Sequence, residues 1–262
     1  LCIAIILLAA FLRLYRLEQL PPGLQYDEAF NATMAQRVLA GIERPIFFRE
    51  DLTEEPMAIY ITSLSFALFG ASPWSLRLVS ALAGILNVAA LYVLARALFQ
   101  SRLAAALAAF TLAILYWHLN FSRLGMEPIF TPLMMTLAFA SLWRGLRPNP
   151  QPPSLLGTGA RGLGVLDFAL AGAFLGATQY TYKAALFVPI LAATFIGVEF
   201  LVDRKFWAHY RDGLIIFALV AVLVFAPLGL YLATHPAEFF ERPSTVTVAS
   251  SGIATIADHA IR

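Results

Sequence analysis

Residues Gly213–Thr234 read GLIIFALVAVLVFAPLGLYLAT, a run of 22 residues without one charged side chain. A helix needs about 20 apolar residues to cross roughly 30 Å of hydrocarbon. This stretch is therefore long enough and apolar enough to predict a membrane-spanning helix. The whole chain agrees with that prediction, because 60% of its 262 residues are hydrophobic and only 13% are charged, against about 25% charged residues in soluble domains.

Six further largely apolar stretches accompany this one and predict an all-α multi-pass membrane protein. The net charge of +2 comes from scattered basic residues, a pattern that excludes a nucleic-acid partner. The chain begins inside an apolar run, so we expect a single transmembrane domain over residues 1–262 that is incomplete at both ends, with 235–262 as an outer loop or tail. The predicted spans are Leu1–Leu14, Leu78–Ala95, Leu103–Phe121, Pro128–Trp143, Phe168–Tyr182, Ala184–Leu201 and Gly213–Thr234.

The segment Pro56–Leu76 is also uncharged, and length alone leaves open whether it crosses the membrane. If it does not cross, the basic loops after the second, fourth and sixth spans share one face, which the positive-inside rule makes cytoplasmic. If it does cross, those loops lie outside. The charge distribution favours a re-entrant or interfacial helix that ends near Gly70. The loop Glu18–Pro56 is then extracytoplasmic, and it holds eight of the sixteen acidic residues.

Asp27 and Glu28 lie in this outer loop, directly before a predicted helix over Ala29–Ala40. Apolar residues recur every four positions in that helix, which predicts that it lies on the membrane surface and holds Asp27 near the interface. A carboxylate there can accept a proton from a hydroxyl group. In the alternative interpretation, Asp27 is the N-cap and Glu28 is a first-turn charge. The apolar stripe consists of Phe30, Met34 and Val38.

Two further acidic sites precede prolines at predicted helix starts, namely Glu54-Glu55-Pro56 and Glu127-Pro128. Carboxylates at these positions either stabilise a helix N-terminus or serve as oxygen ligands of a divalent cation. Glu127 lies at a membrane boundary, where an ionisable side chain is costly unless it faces protein or water. It shares the outer face with Asp27 and Glu54, so three carboxylates from separate segments can converge on one cavity.

Basic side chains on the same face are candidates for binding a lipid phosphate. Lys183 lies in a short outer turn, and Arg123 ends the sequence Asn120-Phe121-Ser122-Arg123. The alternative for both is snorkelling to lipid headgroups. His118 and His235 lack metal-ligand spacing, so we interpret them as interfacial residues.

In order and spacing, these features resemble the GT-C-type membrane glycosyltransferases, in particular the protein mannosyltransferase and aminoarabinose transferase group. The resemblance covers nearly the whole chain. It begins with a first span and an outer loop that contains Asp27-Glu28. It continues with Glu54-Glu55-Pro56-Met57-Ala58, an apolar helix that ends at Leu68-Phe69-Gly70, Arg77 at a span start, Ala95-Arg96-Ala97-Leu98-Phe99 at its end, and Glu127-Pro128 at the fourth span.

The resemblance implies roles for individual residues. Asp27 corresponds to the proposed catalytic base and Glu28 supports it, while Glu54 and Glu127 correspond to ligands of a divalent ion, such as Mg²⁺, Mn²⁺ or Zn²⁺. No nucleotide cofactor is implied. Relatives often carry lysine directly before the later proline as a phosphate ligand, whereas this chain has Glu55.

Phosphate binding must therefore come from elsewhere, and the candidates are Lys183, Arg123 and Arg242. The resemblance also makes Pro56–Phe69 a juxtamembrane helix, in agreement with the charge distribution.

The predicted function is transfer of a sugar from a polyprenyl-phosphate donor to a hydroxyl group of a protein, lipid or glycan outside the cytoplasm, with inversion. The predicted location is the plasma (inner) membrane. One alternative is a lipid flippase or transporter, although the centres of the predicted spans lack the charges that such a mechanism uses. Another is a scaffold that packs against a partner enzyme.

Overall fold

A computed structural model describes residues 1–48, 55–146, 160–203 and 205–236. Its regular structure over these residues is helical, which confirms the all-α prediction. Two short 3₁₀ turns, Glu127–Ile129 and Lys183–Leu186, precede α7 and α9. The α-helices are α1 Cys2–Leu14, α2 Tyr26–Leu39, α3 Met57–Phe69, α4 Pro73–Phe99, α5 Arg102–Ile114, α6 Tyr116–Phe121, α7 Phe130–Gly145, α8 Ala160–Thr178, α9 Phe187–Val202 and α10 Phe206–Thr234.

Three helical segments in the described residues are long and apolar enough to cross a membrane: Pro73–Phe99, Lys183–Val202 and Phe206–Thr234. Helices also occupy the other predicted spans. The second span starts earlier than predicted, at Pro73, because Ser72 caps the helix and accepts a hydrogen bond from the Ser75 N–H at 3.2 Å.

The predicted span Leu103–Phe121 is two helices, which corrects the expectation of one continuous helix. Leu115 is extended, with φ −59° and ψ 119°, and separates α5 from α6. The break leaves carbonyl groups at the end of α5 without helical partners. Arg13 of α1 donates to two of them, Ala113 O at 3.1 Å and Leu112 O at 3.4 Å. A long-range contact invisible to local periodicity therefore stabilises this helix end.

α3 is too short to cross the membrane as a straight helix. Its 13 residues give a length of about 20 Å at 1.5 Å per residue. The chain then turns at Gly70, where φ is 79°, a left-handed value that favours glycine. Ser75 at the start of α4 donates to the Gly70 carbonyl at 2.6 Å and holds the turn. The helix thus ends where the sequence predicted a break.

The apolar stripe of α2 packs against protein, which corrects the expectation that this stripe contacts the membrane. Met34 and Val38 are buried in a cluster that also contains Ile59 and Phe66 of α3. The four-residue periodicity identified the buried face correctly, but α3 covers that face instead of lipid. α2 is therefore fixed by protein contacts at the outer end of the bundle.

α8 and α10 approach each other so closely that their backbones touch. A Cβ atom added to Gly172 would lie 2.3 Å from the Phe217 carbonyl oxygen, and one added to Gly176 would lie 2.6 Å from the Ala221 carbonyl oxygen. Paired small residues four apart allow this kind of contact between membrane helices. Glycine at both positions is therefore required by packing.

Gly172→Leu is expected to destabilise the protein by about 1–3 kcal/mol or more, the usual cost of inserting carbons into a packed core. The matched control is Gly197→Leu in α9, because nothing lies within 4 Å of a Cβ added there. The measurement is thermal unfolding of the detergent-purified protein. Equal unfolding temperatures for the two variants would contradict the close approach of α8 and α10.

Candidate functional site

A buried ion pair joins α2 to α4 at the end of the bundle that is predicted to face outward. Arg77 donates from Nε to Glu28 Oε1 at 2.8 Å and from Nη2 to Oε2 at 3.1 Å, and both side chains are 0% exposed. Glu28 also accepts hydrogen bonds from the backbone N–H groups of Gly125 at 2.9 Å and Gln25 at 3.0 Å. The carboxylate is therefore bound by four donors from three parts of the chain.

This environment keeps Glu28 ionised. Burial raises the pKa of its carboxyl group, but the hydrogen bonds from Arg77, Gly125 and Gln25 and the charge of Arg77 together lower the pKa below its ordinary value. A fully buried carboxylate with all of these partners cannot take a proton from a substrate without losing them. Glu28 therefore holds α2 against α4 and against the chain at Gly125.

Asp27 is placed differently from Glu28, although the two residues are adjacent. It lies in the first turn of α2 and is partly exposed. The N-cap residue is Gln25, which corrects the alternative that Asp27 caps the helix. Glu28 fixes this first turn because its carboxylate bonds back to Gln25 N. Asp27 is thus an accessible carboxylate on a rigid helix end.

Glu127 is brought to α2 by a side-chain amide. Asn31, one helical turn after Asp27, donates from Nδ2 to Glu127 Oε2 at 3.3 Å and to Gly125 O at 3.1 Å. Glu127 is 5% exposed. Two of the three segments predicted to converge, those of Asp27 and Glu127, therefore meet at α2. Glu54, the third predicted carboxylate, lies outside the described residues.

The described residues do not complete a metal site. Within these residues, no three His, Cys, Asp or Glu side chains lie together in a way that could hold a metal ion. Glu127 and Asn31 do supply oxygen atoms of the kind that hard cations prefer, and Asn31 Oδ1 is buried without a hydrogen-bond partner among these residues. Since two side chains are too few, we derive no chemical step through a metal.

Lys183 lines a groove at the end of the bundle that is predicted to face outward, and this groove is called the outer groove. The groove lies between the outer loop, the end of α8 and the outer half of α10. Lys183 is partly exposed there, while Glu55 is 6% exposed. The rest of the lining is largely apolar and includes Leu186, Phe225 and Leu232. The groove thus combines an apolar surface with a small charged end.

The guanidinium of Arg123 is bound to backbone carbonyl groups. Nη1 donates to Leu12 O at 2.6 Å and Arg13 O at 3.1 Å, and Nη2 donates to Tyr15 O at 2.8 Å and Leu20 O at 3.0 Å. These bonds use four of the five N–H donors of the side chain. Arg242, the third predicted phosphate ligand, lies outside the described residues.

His118 is part of a buried polar cluster, which corrects its interpretation as an interfacial residue. The side chain is 8% exposed. Its Nδ1 lies 2.8 Å from Arg13 Nη2 and its Nε2 lies 3.0 Å from Asn87 Nδ2. Arg13 is not among the predicted site residues, although a charged residue within a predicted span indicates a buried partner.

Residues 3–241 match the family described as dolichyl-phosphate-mannose-protein mannosyltransferase. This match covers most of the chain. The chain belongs to that family. The predicted resemblance to protein mannosyltransferases and aminoarabinose transferases is therefore confirmed.

Comparisons with individual proteins agree with this protein mannosyltransferase family assignment. An undecaprenyl phosphate-alpha-4-amino-4-deoxy-L-arabinose arabinosyl transferase of Pseudomonas paraeruginosa is 27% identical over 220 residues, which are 82% of this chain and 37% of that protein. The chain thus spans little more than a third of the length of this relative.

Solved structures show the same fold. ArnT from Cupriavidus metallidurans in the apo state aligns with a TM-score of 0.68 at 20% identity, over 91% of this chain and 43% of that one. ArnT bound to undecaprenyl phosphate aligns with a TM-score of 0.63 at 22% identity, over 91% and 42%. The Archaeoglobus fulgidus oligosaccharyltransferase in complex with Zn and sulfate aligns at 0.58 and 18%, over 97% and 39%. The family and the apolar helices make this chain part of a multi-pass membrane protein.

Removing one partner of the Glu28–Arg77 pair is expected to destabilise this family member strongly. Arg77→Met leaves a buried carboxylate without its counter-ion, which costs about 3–5 kcal/mol. The control is Arg144→Met. Arg144 pairs with Asp167, and its side chain is 45% exposed, so its loss is expected to lower the free energy of unfolding by about 1 kcal/mol or less.

The measurement is the free energy of unfolding in detergent. The double variant Glu28→Leu/Arg77→Met is expected to be less destabilised than the sum of the two single variants, since it buries no lone charge. Additive effects, or equal losses for Arg77→Met and Arg144→Met, would contradict the buried pair.

Proposed function

We propose that the full-length protein transfers a sugar from a polyprenyl-phosphate donor to a hydroxyl acceptor on the extracytoplasmic face of the membrane. Family membership supports this proposal, since the family name describes transfer from a dolichyl-phosphate sugar. The Pseudomonas relative is named for an undecaprenyl phosphate-linked pentose donor. One ArnT structure contains undecaprenyl phosphate, and the archaeal oligosaccharyltransferase AglB has been solved with an inhibitory peptide and a dolichol-phosphate.

The observation that carries the proposal is the contrast between Asp27 and Glu28. Glu28 is buried and bound by Arg77, whereas Asp27 on the same helical turn is partly exposed. Asp27 is the general base: it accepts the proton of the acceptor hydroxyl as that oxygen bonds to the anomeric carbon. The bond from this carbon to the phosphate oxygen breaks, and the lipid phosphate leaves. Attack opposite the leaving group inverts the configuration.

Lys183 is the residue that binds the donor phosphate. It lies at the charged end of the outer groove, whose apolar lining suits a polyprenyl chain. A lysine ammonium balances the negative charge that grows on the departing phosphate. Arg123 is less suitable for this role, because a phosphate would have to displace the carbonyl groups that its guanidinium binds. Arg242 remains a candidate second ligand.

The proposed topology has seven membrane crossings, with α2 and α3 on the outer side. The basic loops lie in the cytoplasm by the positive-inside rule, so Asp27 faces outward. Because nucleotide sugars are made in the cytoplasm, an outward-facing base requires a donor that is already on a lipid carrier.

The membrane is proposed to be the plasma (inner) membrane, and the acceptor a protein, lipid or glycan. A divalent ion at Glu54 and Glu127 remains part of the proposal, supported by the zinc in the archaeal oligosaccharyltransferase structure. The transporter alternative has no support in the comparisons, whose named proteins are transferases.

Asp27→Asn is expected to lower the rate of sugar transfer by about 10²–10⁴-fold, the usual contribution of a general base. Its unfolding temperature is expected to stay unchanged, because Asp27 makes none of the bonds that hold Glu28. The measurement is transfer of radiolabelled sugar from polyprenyl-phosphate donors by membranes that contain the full-length protein.

Glu18→Gln is the control for this variant, since Glu18 is an exposed acidic residue of the same outer loop. It is expected to retain full activity. Near-normal transfer by Asp27→Asn with the correct donor would exclude Asp27 as the base.

Lys183→Met is expected to raise KM for the donor by about 10- to 100-fold, the equivalent of one lost hydrogen bond to a charged group. The control is Lys205→Met, which changes the second lysine of the chain, an exposed residue at the opposite end of α9. The measurement is initial transfer rate against donor concentration. An unchanged KM in Lys183→Met would move the phosphate site elsewhere.

A further inference from the structure

The connection between α1 and α2 leads directly to Asp27 and has no helix or strand of its own. It runs from Tyr15 to Gln25. A connection of this kind exposes backbone carbonyl groups that need hydrogen-bond partners. In this protein two arginine side chains from other parts of the chain supply those partners.

Arg123 binds the end of α1 and two carbonyl groups of the connection. Its bonds to Leu12 O and Arg13 O cap the end of α1, where the last carbonyl groups of a helix have no partners of their own. Its bonds to Tyr15 O and Leu20 O extend this contact into the connection. A cation at a helix C-terminus is also favoured by the helix dipole.

Arg77 binds further carbonyl groups of the connection while it holds Glu28. Nη1 donates to Leu17 O at 3.3 Å and Pro21 O at 2.8 Å, and Nη2 donates to Gly23 O. The carbonyl groups bound by Arg77 and Arg123 alternate along the connection. The position of the connection therefore depends on both guanidinium groups.

We propose that Arg123 is a positioning residue that fixes the α1–α2 connection and thereby the location of Asp27, and that it does not bind the donor phosphate. This proposal rests on the proposed role of Asp27 as the base. The physical reason is that a phosphate could engage Arg123 only if the guanidinium gave up carbonyl partners. Releasing those carbonyls would free the connection that carries the base.

The kinetic test uses Arg123→Gln and Arg123→Lys in the full-length protein. A displaced base slows the chemical step, so kcat is expected to fall about 10- to 100-fold in both variants. KM for the donor is expected to stay within about twofold. In Arg123→Lys the ammonium group cannot donate to four carbonyl groups as the guanidinium does. It can still place a positive charge beside a phosphate.

The matched control is Arg16→Gln. Arg16 belongs to the same connection, is exposed, and lies with its guanidinium carbon 5.7 Å from the centre of the Tyr15 ring. Its loss is expected to change neither kcat nor KM. A raised KM with retained kcat in Arg123→Gln, restored by Arg123→Lys, would overturn the proposal in favour of a phosphate ligand.

A second measurement reads the connection without any enzyme activity. A spin label is attached at Leu24→Cys, a position 45% exposed, in a Cys2→Ala background. Its mobility is expected to rise in Arg123→Gln and to stay unchanged in Arg16→Gln. Unchanged label mobility in a folded Arg123→Gln protein would overturn the proposal.

The two experiments also separate this proposal from the proposed function. If Asp27→Asn is active, Asp27 is not the base. The role of Arg123 in catalysis then fails too, even if the mobility of the spin label rises in Arg123→Gln. If Asp27→Asn is inactive but Arg123→Gln keeps its kcat, only the positioning role fails. Unfolding temperatures of Arg123→Gln and Arg123→Lys exclude global unfolding as the cause of lost activity.

Discussion

The arrangement of the outer site depends on the buried contact between Glu28 and Arg77. Two ions without exposure to water are costly to bury, and their burial is tolerated only with close geometry and further hydrogen bonds. Both conditions are met here, since Glu28 has four donors and Arg77 also binds backbone carbonyls. Through Gly125 this contact positions the chain before Glu127, and through Gln25 it shapes the helical turn that bears Asp27. The buried carboxylate of Glu28 therefore sets the position of the accessible carboxylate of Asp27.

The sequence predicts the helices well because membrane crossing is a local property. A segment must satisfy its backbone within itself in lipid, so an uninterrupted apolar run is enough to indicate a helix. The break at Gly70 was predictable for the same reason, since the turn residues lie within a few positions of each other. The break at Leu115 was not, because it is stabilised by Arg13, about 100 residues away.

The candidate site was predicted less completely, since residue type and membrane side do not show which partners a side chain already has. The surroundings of Arg123 and His118 could not be predicted, because the carbonyls and amides that bind them come from distant segments. The same limit explains α2, whose periodicity identifies an apolar face but not the helix that covers it. Glu28 and Arg77 are 49 residues apart, and their pairing follows from the tertiary structure alone.

The backbone contact between α8 and α10 determines which parts of the outer groove can move. Without side chains between them at Gly172 and Gly176, the two helices cannot slide or separate without losing the contact along their length. Tyr180 adds a hydrogen bond from its hydroxyl group to Val224 O at 2.8 Å. α10 lines the groove with Phe225, Leu228 and Leu232, and its contact with α8 holds this side of the groove in place. The opposite side of the groove, which Phe47 and Glu55 line, is not held by this contact and is the side where the groove can widen.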